Sequence, residues 1–339
     1  MDVVSDAISS VRTGRPHSSR LSVSGGWCTR IASYEGAGFH VVLAGSCWLL
    51  PDGGGSGVPL AAGDVVLLPH GAGHVLADGP VDARTAARAT PFEEIEEIEE
   101  IEQVEQVEQV DRAGRRHLVG DVQDTRDVEL LCGKYRLDRS RTHPLLAELP
   151  EVVHLANHAD RPPELRAAVD LLARELDGRR PGSSLALPSL LDLLLVYMVR
   201  AWLARAATGA WPAVLGDPVA AAALRALHAD PAAAWTNDSL AARAGVSRAA
   251  LARRFTALVG RPPMAYLRWW RLTLAAARLR DSDAPLATVA RETGYGSPYA
   301  LSHAFSREFG TTPGRYRAAD TTAGTPAGTA AGTPAGTLG

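Results

Sequence analysis

The chain has little of what staples, exports or anchors a protein. Its three cysteines among 339 residues, Cys28, Cys47 and Cys132, form neither a CxxC pair nor a dense framework. That excludes a disulfide scaffold and fits a reducing compartment. No basic stretch followed by an apolar run opens the sequence, so no secretory leader is expected. The longest apolar run, Leu190–Val199, is interrupted by Asp192 and is half the length a membrane span needs. A cytoplasmic protein without membrane contact is the resulting expectation. No nucleophile is patterned with a base and an orienting acid, so neither a catalytic residue nor a cofactor is predicted.

What is present is divided unevenly. The net charge of −3 is unremarkable, yet Asp217–Arg317 holds 14 Arg against 7 Asp plus Glu. That segment carries +7, which leaves −10 for the rest. A basic region joined to an acidic one implies that the C-terminal part alone meets a polyanion.

Texture divides the chain in the same way. Residues 20–80 are rich in glycine and β-formers, and Phe39–Leu43, Cys47–Leu50 and Asp64–Leu68 read as short strands between turns. Val128–Leu137 resumes that pattern. Between them, 93–110 is a triplet repeat of EEI and then EQV. An apolar residue every third position drifts by about 60° per step around a helix, so the repeat makes no steady stripe and reads as an acidic insertion. From Pro162 the pattern becomes helical. Glu164–Asp177 has an amphipathic stripe, and Leu187–Ala204 is apolar almost all round, as expected of a helix buried on several sides. After Asp320 the chain repeats AGT and AGTP and should be disordered.

One internal repeat carries the functional argument. Ser247, Leu251, Phe255, Gly260, Pro263 and Tyr266 recur as Ser297, Leu301, Phe305, Gly310, Pro313 and Tyr316, six residue types at one offset of fifty. The serines are placed to cap a helix, the Leu/Phe pairs share one helix face, and the glycines end the helices. Upstream of each copy lies a short apolar helix and a turn, at Gly245-Val246 and at Gly294-Tyr295. A short helix, a glycine turn and a capped second helix make the helix-turn-helix layout, whose second helix enters the major groove of double-stranded DNA.

The runs LAARAGVSRAALARRFTALVGRPPMAYLRWWRL and VARETGYGSPYALSHAFSREFGTTPGRYR resemble the DNA-binding domain of AraC/XylS-type regulators over about 100 residues. The resemblance implies seven helices, with Pro263–Asp281 joining the two reading heads. Trp269-Trp270 in that helix and Pro298 at the start of a recognition helix depart from the family pattern. At about 100° per residue, the face opposite the Leu251, Phe255 and Leu258 stripe holds Ala249, Arg253 and Thr256. On the second helix that face holds Tyr299, His303 and Ser306. Arg253 and His303 are the base-reading candidates, a role the resemblance also implies. Arg248, Arg254 and Arg307 suit phosphates. Ser247, Ser297 and Ala300 complete the expected DNA-contacting set.

In the N-terminal half, Gly63, Pro69, Gly71, His74 and Asp78 resemble the second cupin motif, with Asp78 where Asn is common. The first motif is missing, since FHVVLAG carries His40 but no HxH and no matching Glu. His40, His74, His70 and Asp78 are therefore candidate effector contacts. No metal is expected, because the set is short of the usual ligands. Cys28, which follows Trp27 near Arg30, is a redox candidate with Cys47 and Cys132, although apolar strand patterns favour inert thiols.

The expected architecture is α+β and multidomain. A flexible N-terminus (1–19) precedes a cupin-like β-barrel sensor (20–158) interrupted by the acidic insert. Dimerisation helices (159–210) follow, then an all-α domain of two helix-turn-helix units (213–319) and a disordered tail (320–339). From Arg20 to Leu203 the chain resembles the sensor half of one AraC branch, which implies a homodimer. The expected function is a sequence-specific transcription activator governed by a small-molecule or redox effector, with RNA polymerase as a further partner. The competing reading is a cupin metalloenzyme with an accessory DNA-binding domain.

Overall fold

The computed structural model describes residues 3–54, 56–92, 128–137, 143–158, 161–177, 181–206 and 210–323. The triplet repeat at 93–110 lies outside the described residues. The chain divides into two compact units, Asp2–Gly216 and Asp217 onward.

The first unit opens with α1 (Val3–Val11) and β1 (Arg12–Val23), followed by β2 (Cys28–Ile31), β3 (Ala37–Ala44), β4 (Ser46–Pro51), β5 (Val58–Ala61), β6 (Val65–Leu68) and β7 (His74–Ala77). Next come the single-turn α2 (Ala83–Ala86), β8 (Thr90–Pro91), β9 (Val128–Leu137), α3 (Pro144–Ala147) and β10 (Val153–Leu155). Two five-stranded sheets form, ordered β1-β9-β3-β6-β10 and β5-β4-β7-β2-β8. Among the described residues only the short β2–β8 pairing is parallel. Leu21, Val42, Val66 and Leu130 of the first sheet share one core with Ile31, Leu49, Leu60 and Leu76 of the second. The sheets therefore close over a common interior, as a cupin-like barrel does.

Within the stretch 1–19, expected to be flexible, residues 3–19 instead form α1 and most of β1. The reason lies in Val3, Ala7 and Ile8, which bury one face of α1. β1 has a polar start but pairs with β9 from Arg12↔Leu137 to Val23↔Val128, so main-chain bonds order it. Pro16 falls where the register slips between Thr13 and His17, a tolerated place for proline on an edge strand.

The helical hairpin α4 (Pro163–Asp177) and α5 (Ser183–Arg205) follows, and α6 (Ala210–Gly216) closes the unit. Leu190–Val199 thus belongs to a helix of 23 residues that is long and apolar enough by length and composition to cross a membrane. This corrects the length read from the apolar run alone. The helix packs as a core element. Leu191, Leu194, Leu195, Met198 and Val199 are buried, the Tyr135 hydroxyl donates to Leu191 O at 2.6 Å, and Asp192 pairs with Arg12. The large apolar side chains left exposed on the hairpin are Leu171, Leu185 and Leu193.

The second unit has seven helices among the described residues, as the AraC resemblance implied. They are α7 (Pro218–Ala229), α8 (Asn237–Arg243), α9 (Arg248–Val259), α10 (Pro263–Asp281), α11 (Leu286–Glu292), α12 (Pro298–Phe309) and α13 (Pro313–Ala323). Helix α13 runs three residues past Asp320, where disorder was expected to begin. Trp270 of α10 is buried and stacks on His228 at 4.5 Å, which makes it a core residue of the first head.

Candidate nucleic-acid interface

Both reading heads are built alike. Thr236 caps α8 in a reciprocal capping box with Ser239. The turns after α8 and α11 are made at Gly245 (φ 69°) and Gly294 (φ 78°), a left-handed conformation that glycine adopts without strain. The Ser247 and Ser297 hydroxyls accept the N–H of Ala250 and Ala300 at 3.3 and 3.1 Å, and so cap the recognition helices α9 and α12. Leu251, Phe255, Leu301 and Phe305 are fully buried, whereas Leu258 is half-buried. The opposite faces are thereby turned to solvent.

Ala249 and Arg253 are exposed and Thr256 is half-buried. Arg253 has no ion pair or hydrogen bond among the described residues. On α12, Tyr299 is 81% exposed, and it joins Ser302, His303, Ser306 and Arg307 around an open depression of about 420 Å³. Ala300 is exposed beside them. Ser302 was missed in the sequence. It lies one position before His303, at the edge of the same face. The arginines expected at the flanks differ in their freedom. Arg248 lies 3.7 Å from Asp238, and Arg254 donates to Asp217 at 2.7 Å, whereas Arg307 has no such partner among the described residues. Asp217 is also the N-cap of α7, accepting from Val219 N and Ala220 N.

In the barrel, His40 and His74 meet with Nε2 atoms 2.7 Å apart, and His40 Nδ1 lies 3.1 Å from Cys132 Sγ. His74 Nδ1 lies 3.0 Å from the Ala72 carbonyl, which can only accept. That fixes the tautomers: His74 donates from Nδ1, His40 donates from Nε2 to His74, and the Cys132 thiol donates to His40. Burial lowers His74 to about 4 and holds His40 well below its ordinary value, so both rings are neutral near pH 7. His70 and Asp78 do not join them. His70 Nε2 bonds Leu149 O at 2.8 Å, and Asp78 lies beside Trp27 and Cys28. Both ring nitrogens of His40 are thus occupied. Among the described residues no group of three or more His, Cys, Asp or Glu is placed to hold a metal. This donor set does not fit the metal centre that cupins usually build. The gap beside the pair, also lined by Tyr34 and Lys134, is about 20 Å³, room for one water.

Cys28 is not activated by Arg30 as its sequence position suggested, and Cys47 is not activated either. For Cys28, burial and Asp78 outweigh Arg30 and push the thiol up. Burial, followed by Asp64, takes Cys47 up to about 12. Raised values leave both as thiols, which are poor nucleophiles.

Residues 2–204 match a family described as cupin, and 240–319 match one described as helix-turn-helix domain. An AraC-like transcription regulator of Streptomyces lividans is 36% identical over 95% of this chain and 99% of its own length. A second, from Streptomyces antibioticus, is 36% identical over 94% of this chain and 98% of its own length. Among solved structures, the DNA-binding domain of AdpA in complex with a target DNA is 36% identical, with a TM-score of 0.30, over 32% of this chain and 97% of that one. A duplicated helix-turn-helix unit following a closed β-sheet unit defines a DNA-binding regulator of transcription. The chain belongs to the AraC-like transcription regulators that join a cupin half to a helix-turn-helix half.

Proposed function

We propose that this regulator reads an operator with α9 and α12, and that Arg253 and His303 contact bases. The observation that carries the reading is the solvent-facing side of each capped recognition helix, set opposite a buried Leu/Phe stripe. Arg253 reaches out with an unspent guanidinium, the group suited to a bidentate guanine contact. Ala249 offers apolar contact, and Tyr299, Ala300, Thr256 and Ser306 border the base-facing path. Arg248 and Arg307 serve phosphates, and Arg254, an expected phosphate contact, stays with Asp217 at the flank of α9. The protein works in the cytoplasm as a homodimer and activator, and its cupin half biases DNA binding or contact with RNA polymerase in response to an effector. It has no catalytic role.

Leu190, Leu194 and Met198 lie on the apolar helix expected to dimerise, yet Leu194 and Met198 are spent on the core of the same chain and Leu190 is half-buried. The dimer surface is therefore assigned to Leu171, Leu185 and Leu193. The reading is tested by selecting bound sequences from random DNA with the full chain. A single enriched motif with two half-sites is expected, and its affinity should fall on the order of a thousandfold between about 50 and 200 mM salt. Enrichment of no motif, or a flat salt response, defeats it.

A further inference from the structure

A row of buried hydrogen bonds crosses from one sheet of the barrel to the other. Cys132 of β9 and His40 of β3 are paired neighbours in the first sheet, and His74 opens β7 in the second. Cys132 Sγ lies 3.1 Å from His40 Nδ1, the two Nε2 atoms are 2.7 Å apart, and His74 Nδ1 lies 3.0 Å from the Ala72 carbonyl. Both rings are buried, and the gap beside them is about 20 Å³.

The row runs in one direction. A carbonyl only accepts, so each link donates toward Ala72: the thiol to His40 Nδ1, His40 Nε2–H to His74 Nε2, and His74 Nδ1–H to the carbonyl. Every ring nitrogen therefore either carries a hydrogen or receives one, and an added proton finds no free lone pair on either ring. Placed on His74 Nε2, it sets two N–H groups against each other at the 2.7 Å contact. The cross-sheet bond then breaks, unless His40 changes tautomer and turns its hydrogen onto sulfur, a weak acceptor. A gap with room for one water does little to hydrate the new charge.

The groups facing the pair add to that cost. Lys134 of β9 has no ion pair or hydrogen bond among the described residues, and its ammonium sits 5.2 Å from the centre of the Tyr34 ring. Arg30 of β2 is a second cation, paired with Asp52 of the loop after β4, whose carboxylate favours a proton on His74. Burial pushes the Tyr34 hydroxyl up, so it stays neutral, and His17 faces the gap from β1 at the exposed rim. Burial and then the neighbouring charges hold both histidines below their ordinary value of 6.5, His74 at about 4. In the unfolded chain they take protons at that ordinary value. The stability that the neutral row contributes is therefore complete above about 6.5 and is lost as the pH falls toward 4. We propose that Cys132, His40 and His74 form an acid-sensitive latch between the two sheets, closed while both rings are neutral and released by proton uptake, and that its release alters DNA binding. This last step rests on the reading above that the cupin half governs DNA binding.

The test uses the full chain. Calorimetric melting is followed from about pH 7.5 to 5 in the wild type and in His74→Gln, whose amide oxygen can accept from His40 but takes up no proton. The barrel transition of the wild type should fall with pH. That of His74→Gln should fall by several degrees less, because a histidine that gains about one proton on unfolding is gone. His40→Gln, whose amide nitrogen can donate to His74, should behave alike, and it serves as the readout if His74→Gln does not fold. An equal fall in the wild type and in the variants that fold overturns the latch. Operator affinity is then compared at about pH 7.5 and 5.5. Wild type and variants carry the same DNA-facing residues, His303 included, so the pH dependence of the contacts themselves cancels. The wild type should change several-fold more than the variants. Unequal melting with equal changes in affinity keeps the latch and defeats its link to DNA binding. Equal melting removes the latch and leaves the governing reading untouched.

Discussion

The two reading heads share a plan and differ in how much of their surface is already committed. In the first head, Arg248 and Arg254 face Asp238 and Asp217, and Tyr266 is fully buried with its hydroxyl 2.8 Å from His228 Nε2. In the second, Tyr299, His303 and Arg307 border an open depression, and Tyr316 packs half-buried on Phe305. The joint between the heads is also one-sided. Arg271 of α10 donates to the carbonyls of Pro231 and Ala233 at 2.7 and 2.8 Å, and this turn lies against Gly294. Duplication therefore conserved the caps, the turns and the buried stripe, which make a helix-turn-helix stand. It left the exposed faces free to diverge, and these choose the contacts on DNA.

The largest expected difference lies in the turns. A Cβ on Gly294 would stand 2.8 Å from Ala232 Cα and 2.9 Å from the Arg271 guanidinium, whereas one on Gly245 would meet nothing within 4 Å. Gly245→Ala should cost only the left-handed strain, about 1–2 kcal/mol. Gly294→Ala adds overpacking of about 1–3 kcal/mol against a held arginine. Urea unfolding of a fragment from Gly216 onward, which the division at Asp217 predicts to fold alone, measures both. Equal losses would show that the heads are not locked together at Gly294.

Next in size are the base-facing residues. Arg253→Ala and His303→Ala should each cost about 1–3 kcal/mol on the selected operator, little on random DNA, and should level the preference at one base pair. A uniform loss on all sequences would mean that the helices are rotated in the groove. The caps should behave alike in both heads. Ser247→Ala and Ser297→Ala each remove one bond to an N3 amide, at about 1 kcal/mol. A cost in one head alone, read in the same urea series, would break the equivalence.

How much of this was legible in the sequence follows from the range of the interactions. The caps, glycine turns and buried stripes of both heads are local, and spacing revealed them, whereas the bounds of α10 were implied by the AraC resemblance. The strands at 39–43, 47–50, 64–68 and 128–137 were found for the same reason. Contacts set by register were not. His40 meets Cys132 because β3 and β9 pair those two residues, a separation of 92 positions that no motif encodes. His70 and Asp78 share a motif with His74, yet strand and loop geometry sends their side chains elsewhere. The order of residues 3–19 depends on a partner strand far along the chain. The pairing of Arg254 with Asp217 spans 37 residues, so helix-face reasoning placed the side chain without its partner.

The smallest expected effect is the most discriminating about the two heads. Arg254 and Arg307 are both flank arginines, but only Arg254 is neutralised within the protein. An exposed pair of this kind stabilises by about 0.2–1 kcal/mol, so Arg254→Ala should lower stability slightly, whereas Arg307→Ala should not. On DNA the order reverses. An arginine that releases a counterion by meeting a phosphate contributes about one to the slope of log affinity against log salt. Arg307→Ala should therefore reduce that slope by about one on operator and random DNA alike. If Arg254 keeps Asp217 in the complex, it releases no counterion, and Arg254→Ala should leave the slope unchanged. Titrations of both variants at several salt concentrations decide the point. A slope reduced by one in Arg254→Ala would mean that the guanidinium abandons Asp217 for a phosphate, and that the ion pair holds the first head only until DNA arrives.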